Sequence, residues 1–362
     1  MKLKNIAIAF LGALLFTTCS KKDDEKEYTA EESKAVVRST MDNFYNCLKN
    51  LNDGGFANFF HDLLFKETVR DHRGETQSWG NFLGEKFDKQ NFAEGLTEGD
   101  RFNYHRMKGT YTWNKNTELW EKTANNENVT FIFPATKGAT NNGKLVIDQY
   151  EDTETTYRND KVYLPTAAHL YATIDNTKVF EVTVKNVTFE KKTNFTMPLS
   201  AHISIYTNPF TTTIQWNRQN PENFVFDFAF SSPQGCTTGL HADIKLTTSD
   251  YGNISSLEKA IDKIAFTATQ GELRIVGNID VKSLEEKGND RKLRVEEINT
   301  YAKAVLMKGN SKIADVKYEE ENDKGVIYFI FSDGSREKAE SYVSDFQDRV
   351  TEIFKRFERE NN

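Results

Sequence analysis

Between Thr29 and Phe92 the apolar residues recur every three or four positions; beyond about residue 100 they recur every two. The first spacing lays side chains along one stripe of a helix, the second along one face of a strand. Thr29 and Glu32 form a capping box. After it Val37, Met41, Phe44 and Leu48, widened by Val36, Tyr45 and Leu51, predict a helix that Asp53-Gly54-Gly55 ends. A second helix is expected from Phe56 to Val69 through Phe59, Phe60, Leu63 and Leu64, and a third from Trp79 to Phe92.

The alternating region is rich in Phe, Tyr, Val, Ile and Thr, the residues that suit a pleated, half-buried surface. Arg106 to Lys122 reads as a hairpin turning at Asn114-Lys115-Asn116-Thr117, and Asn128 to Pro134 with Lys144 to Tyr150 as another pair. Strands follow at Lys178 to Glu190, His202 to Tyr206, Thr211 to Trp216, Asn223 to Phe230 and His241 to Thr248. A helix from Ser255 to Ile264, capped by Ser255 or Ser256, interrupts them. Strands return at Glu272 to Val281, and a short helix near Val295 precedes Ala304 to Lys308, Lys312 to Tyr318 and Gly325 to Phe331. Ala339, Tyr342, Val343, Phe346, Val350, Ile353, Phe354 and Phe357 complete the chain as one amphipathic helix of the kind that packs on a sheet. The expected fold class is α+β: a large curved antiparallel β-sheet, a meander, with N-terminal and C-terminal amphipathic helices packed against it. No linker composition marks a boundary, so residues 29–362 read as a single domain, with a subdivision near 250 as the alternative.

The first residues do not belong to that fold. Lys2 and Lys4 precede an apolar run from Ile6 to Phe16, too short for the roughly 20 apolar residues of a membrane span. Cys19 follows, and then Ser20-Lys21-Lys22-Asp23-Asp24-Glu25. This arrangement resembles the signal peptides of bacterial lipoproteins, although Phe16 and Thr18 stand where the usual pattern has Leu and a smaller residue. The resemblance implies cleavage after residue 18, lipid on Cys19, and a disordered tether over 19–28. Lys22, Asp23, Asp24 and Glu25 resemble the acidic export tag of Gram-negative surface lipoproteins. That implies an outer-membrane anchor with the body facing the cell surface, or the periplasm as the alternative.

Charge narrows the partners. The whole chain has 47 basic and 54 acidic residues; without Lys2 and Lys4 the basic count is 45 and the formal charge −9. With no basic patch, nucleic acid is not an expected partner. Cys47 sits in the first helical pattern and Cys236 in a turn-rich stretch, Ser231-Ser232-Pro233-Gln234-Gly235-Cys236. An exported protein permits a disulfide, but spacing cannot bring the two within bonding distance, so a buried free Cys47 is the expectation.

Motifs for catalysis are weak. Gly138 to Lys144 fits the GxxxxGK of a phosphate loop, but Leu145 replaces the Ser or Thr that ligates magnesium, and Leu145-Val146-Ile147 reads as a strand. Asn141-Asn142-Gly143 is turn chemistry instead. His61, His72, His105, His169, His202 and His241 show no close metal-ligand spacing, although His241 and Asp243 share a strand face. Glu151-Asp152-Thr153-Glu154 reads as a solvated acidic loop. No catalytic residue, metal site or cofactor is assigned.

The aromatic residues carry the remaining signal. With a two-residue turn at Lys115-Asn116, Tyr111 pairs with Trp120 and Trp113 with Glu118, and Tyr111, Trp113 and Trp120 share one face. Such a row fills a core or stacks on sugars. Phe224, Phe226, Phe228 and Phe230 also share one face, opposite Val225, Asp227 and Ala229. The leading functional expectation is a lipid-anchored envelope protein that binds an apolar or lipid ligand without catalysis, by analogy with the shape of lipoprotein lipid carriers. The alternatives are a surface accessory protein that captures glycan or protein, and a hydrolase without a recognisable motif.

Overall fold

The computed structural model describes residues 26–357, apart from 67, 71–73, 75, 93–96, 99–100, 158–159, 192–195, 251–256, 290 and 345. The expected signal peptide, Cys19, the tag at Lys22 to Glu25 and the capping serines 255 and 256 lie outside the described residues.

In chain order the structure opens with α1 (Ala30–Asp53), α2 (Gly55–His61), a π turn (Asp62–Lys66), β1 (Thr68–Arg70), β2 (Thr76–Ser78) and α3 (Trp79–Lys89). Next come β3 (Thr97–Glu98), β4 (Arg101–Phe102), α4 (Tyr104–Met107), β5 (Gly109–Asn114), β6 (Leu119–Thr123) and β7 (Val129–Phe133). Long strands follow: β8 (Gly143–Tyr157), β9 (Asp160–Ile174), β10 (Thr177–Lys191), β11 (Thr196–Thr207), β12 (Phe210–Asn220), β13 (Asn223–Ser231) and β14 (Thr237–Leu246). After α5 (Leu257–Ala260) come β15 (Ile261–Gln270), β16 (Leu273–Asp280), α6 (Val281–Gly288) and α7 (Val295–Tyr301). The chain closes with β17 (Ala302–Lys308), β18 (Ser311–Glu321), β19 (Lys324–Ile330), β20 (Arg336–Lys338) and α8 (Phe346–Phe354).

The fold is α+β. Strands β5 to β20 form a sixteen-stranded, mostly antiparallel sheet in the order β20-β19-β18-β17-β16-β15-β14-β13-β12-β11-β10-β9-β8-β7-β5-β6. It is mixed because β5 runs parallel to β7. The chain divides into two compact units. One combines the described residues up to Leu48 with Thr212–Glu352; the other contains Lys49–Thr211 and the residues from Ile353 onward.

In the first unit, α1 begins as its sequence requires: the Glu32 amide donates to Thr29 Oγ1 at 3.2 Å, and the Thr29 amide donates to the Glu32 carboxylate at 2.9 Å. Its stripe of Val37, Met41 and Phe44 is buried with Phe266, Leu273, Ile275, Leu306, Ile313, Val316 and Phe329. Gly277 has no substitute here, since a Cβ would lie 2.6 Å from the Lys303 carbonyl oxygen and 2.7 Å from the Phe266 ring. Cys47 is not a free thiol. It forms a disulfide with Cys236, with Cα atoms 5.8 Å apart, tying α1 to the β13–β14 turn. Residues 189 apart in sequence gave no local signal of that proximity.

The second unit has an aromatic core. Ser78 caps α3 by accepting the Asn81 amide at 3.2 Å. Trp79, Phe82, Leu83 and Phe87 of α3 then pack against Tyr111, Trp113, Trp120, Val129 and Phe133. Strand β6 is a sheet edge, and Gln90 covers it. Its side-chain amide donates to the Trp120 carbonyl at 2.9 Å and accepts the Trp120 amide at 2.7 Å, as a neighbouring strand would.

Three of the expected helices need correction. The helix expected to Val69 ends at His61, and Thr68–Arg70 pairs with Thr76–Ser78 as a strand. The helix expected to Ile264 stops at Ala260, because Ile261 to Gln270 pairs with β14 on one side and, from Lys263, with β16 on the other. The C-terminal stripe is not one helix: Ala339–Tyr342 and Lys355–Phe357 are 3₁₀ turns around α8. Ser341 and Ser344 bond back to the carbonyls of Lys338 and Ser341, a local alternative to helical continuation. Strand β9 and helix α6 are additional elements that no periodicity announced.

Candidate functional site

In the β5–β6 hairpin Trp113 pairs with Trp120 and Tyr111 with Lys122, around a four-residue turn at 115–118. The register is thus two residues from the expected one. An even slip leaves every side chain on its original face, so Tyr111, Trp113 and Trp120 still point the same way. They point inward. Trp113 and Trp120 keep only 3% and 6% of their surface. The Trp120 indole donates to the Leu83 carbonyl at 2.9 Å, and the Tyr111 phenol to the Met107 carbonyl at 3.0 Å. They form core rather than a flat stacking platform.

The Phe row is also on one face: Phe224, Phe226, Phe228 and Phe230 lie opposite Ile244, Ala242, Leu240 and Thr238 of β14. Phe224 is buried and stacked on Trp216 at 5.0 Å, while Phe226 packs against the first unit's core. Phe228 and Phe230 are half-buried.

The site that the sequence missed lies in the second unit. Glu151 to Glu154, expected as a loop, is part of strand β8. Adjacent residues of a regular strand face opposite ways. Here the register shifts: Glu151 pairs with Ala167 and Asp152 with Pro165, leaving Thr166 as the extra residue of a bulge. Pro165 has no amide hydrogen to give a ladder, so the irregularity has a chemical cause. Beside this bulge Glu151 and Asp152 line a cleft of about 340 Å³ together with Arg101, Phe102, Tyr104, His105, Tyr150 and Thr166.

Asp152 keeps 2% of its side-chain surface and is held by Arg101. Nε of Arg101 lies 2.9 and 3.2 Å from the two carboxylate oxygens, and Nη2 lies 2.8 Å from Oδ1. The Arg101 guanidinium also lies 5.3 Å from the Tyr163 ring centre. Phe102 and Tyr150 meet edge to face at 4.9 Å. Burial raises the pKa of the Tyr150 phenol, helped by the Asp152 charge and opposed by Arg101. Burial likewise raises that of Tyr104, helped by Asp148. Both phenols stay neutral. The cleft therefore offers ring faces, neutral hydroxyl groups, one internal ion pair and a rim carboxylate.

Two histidines are clamped by carboxylates elsewhere. His169 on β9 bonds Asp148 at 2.7 Å through Nδ1 and Glu181 at 3.1 Å through Nε2. Asp148 is the extra residue of a second bulge, between the pairs Ile147–Leu170 and Gln149–His169. His241 lies 2.7 Å from Asp227 and 3.4 Å from Asp243. The two carboxylates of each clamp bind opposite ring nitrogens, so neither clamp gathers donors around one point. Among the described residues no cluster of three His, Cys, Asp or Glu side chains is placed to hold a metal ion.

No family model, curated protein or solved structure matches the chain. The cleft geometry must carry the functional reading unaided.

Proposed function

We propose that this is a lipid-anchored protein of the cell envelope that binds a saccharide-sized ligand, without transforming it, in the cleft between Arg101 and Thr166. The anchor is the lipid expected on Cys19, with the body facing the cell surface. Among the described residues no helix is long and apolar enough to cross a membrane, a statement that leaves strands aside. The observation that carries the reading is the edge-to-face pair Phe102–Tyr150 beside the Arg101–Asp152 ion pair in a cleft of about 340 Å³. Aromatic faces with a few fixed polar groups are the usual makings of a small-ligand site. The glycan reading is thereby moved from Trp113 and Trp120, which are buried, to rings at the margin of the same core.

The test is a glycan array probed with the detergent-solubilised full chain beside its Tyr150→Ala variant. Signal on defined glycans that falls about tenfold in the variant is expected, the loss of one stacking contact and its hydrogen bond. Signal unchanged in the variant would place the ligand elsewhere.

A second reading, an apolar ligand, is favoured by a different surface. Leu170, Val182, Val184, Ile203 and Ile205 share one face of β9 to β11, all half-buried. None is among the residues packed into the aromatic core. A lipid-sized adduct in native mass spectrometry, removed by Val182→Asp, would support that reading.

A further inference from the structure

We propose that the cleft selects a hydroxylated ring bearing a protonated amine, an amino sugar over its neutral or acidic counterpart. This rests on the cleft being the ligand site, as argued above.

Charge is the first argument. Arg101 is the cation of the cleft wall, and its fork is already committed to Asp152 by contacts of 2.8 to 3.2 Å. A guanidinium bound side-on to a carboxylate has spent the geometry that would grip an incoming carboxylate or phosphate. The two charges cancel within the wall. Glu151 remains, exposed at the rim, and leaves the lining with one net negative charge. An acidic ligand would meet Glu151 and Asp152 with no uncommitted guanidinium to offset them. An ammonium would meet a carboxylate.

The rings are the second argument. Cations are drawn to aromatic faces. Tyr104 already has Lys108 Nζ 5.3 Å from its ring centre, so that ring is served from within the protein. Phe102 and Tyr150 stand perpendicular, which presents a face of one beside an edge of the other. A pyranose laid on such a face brings its axial C–H groups to the ring, and an amine at its edge reaches Glu151.

The bulge adds neutral hydrogen-bonding groups. Thr166 is the residue left outside the β8–β9 register, and the extra residue of a bulge leaves backbone polar groups unpaired. These, with Asn103, supply neutral partners for ring hydroxyls.

Three probes with the same ring separate the possibilities: glucosamine, glucose and glucuronate, titrated into the full chain in detergent micelles and followed by calorimetry and by NMR of the Phe102 and Tyr150 ring signals. Glucosamine should bind about tenfold more tightly than glucose, the worth of one charge-assisted hydrogen bond, and glucuronate should be weakest. Glu151→Gln should lower glucosamine to the level of glucose. Equal affinity for glucosamine and glucose, or a preference for glucuronate, with the ring signals shifting, overturns the selectivity while the cleft remains the site. Ring signals unmoved by all three probes overturn the selectivity and the site together.

Discussion

The two units solve the same problem, burying one side of a sheet, with different side chains. The unit of Thr212–Glu352 and the preceding helix fills its core largely with aliphatic residues, Leu273, Ile275, Leu306, Ile313 and Val316, under one long helix and a disulfide. The unit of Lys49–Thr211 uses rings, and each indole or phenol brings a polar atom that needs a partner. The Trp79 indole donates to the Pro134 carbonyl at 2.8 Å, Trp120 to Leu83 and Tyr111 to Met107. Aliphatic packing is non-directional and closes on itself. Ring packing is directional, and at its margin it leaves Phe102 and Tyr150 half-buried around a cleft. The difference explains why the candidate site belongs to the aromatic unit.

The comparison breaks most sharply at its largest side chain. Trp120→Ala removes an indole that meets Trp113, Phe87 and Phe131 at 5.6 to 6.1 Å and donates to the Leu83 carbonyl. The expected loss is about 3–5 kcal/mol. Leu306→Ala in the aliphatic unit should cost about 2–5 kcal/mol, with no hydrogen bond lost. Of the four tryptophans, Trp79, Trp113 and Trp120 lie in the aromatic unit and Trp216 in the other, so fluorescence during urea unfolding reports chiefly on the former. Trp120→Ala should shift its midpoint more than Leu306→Ala. The reverse order would mean that the two units do not unfold separately.

The next effect belongs to the aliphatic unit alone. Replacing both Cys47 and Cys236 by Ala should cost about 2–4 kcal/mol, chiefly by freeing the unfolded chain. Hydrogen exchange measured by mass spectrometry should then speed in β13 to β16 and stay unchanged in β5 to β8. Equal acceleration in both units would show that the crosslink holds more than the unit containing it.

What the sequence revealed follows the physics of each signal. Period-two alternation and the Thr29–Glu32 box are local, and they located most of the sheet and the first helix. The β5–β6 register was missed by two residues, yet the face assignment survived because strands alternate with period two. Strand β9 was not legible because Pro165 and the bulge at Thr166 interrupt its alternation, and a proline inside a run argues against a strand. The cleft joins Glu151 and Asp152 to Arg101, Phe102 and Thr166 from other parts of the chain, so no window of sequence could show it. The Cys47–Cys236 bridge is illegible for the same reason, since it depends on tertiary proximity.

The smallest effect distinguishes the two histidine clamps. Both sit on strands between two carboxylates, one in each unit. At His169 burial opposes protonation, but the hydrogen bonds to Glu181 and Asp148 outweigh it and the pKa is raised. At His241 the bond to Asp227 leads, burial opposes it, and the pKa is again raised. A group whose pKa is higher folded than unfolded stabilises the protein fully below its unfolded value, about 6.5, and loses that contribution as pH rises through the folded value. Both clamps should therefore help at pH 5.5 and fade as pH rises through their raised folded values. They should not help equally. The His169 side chain is 28% exposed and links β8, β9 and β10, whereas that of His241 is 49% exposed and faces water that screens its partners. Urea midpoints of His169→Gln and His241→Gln, each against the parent from pH 5.5 to 8.5, should show a deficit that shrinks with rising pH and is larger for His169. A deficit that grows with pH would reverse the sign of the linkage, and equal deficits would mean that burial does not set the strength of the clamp.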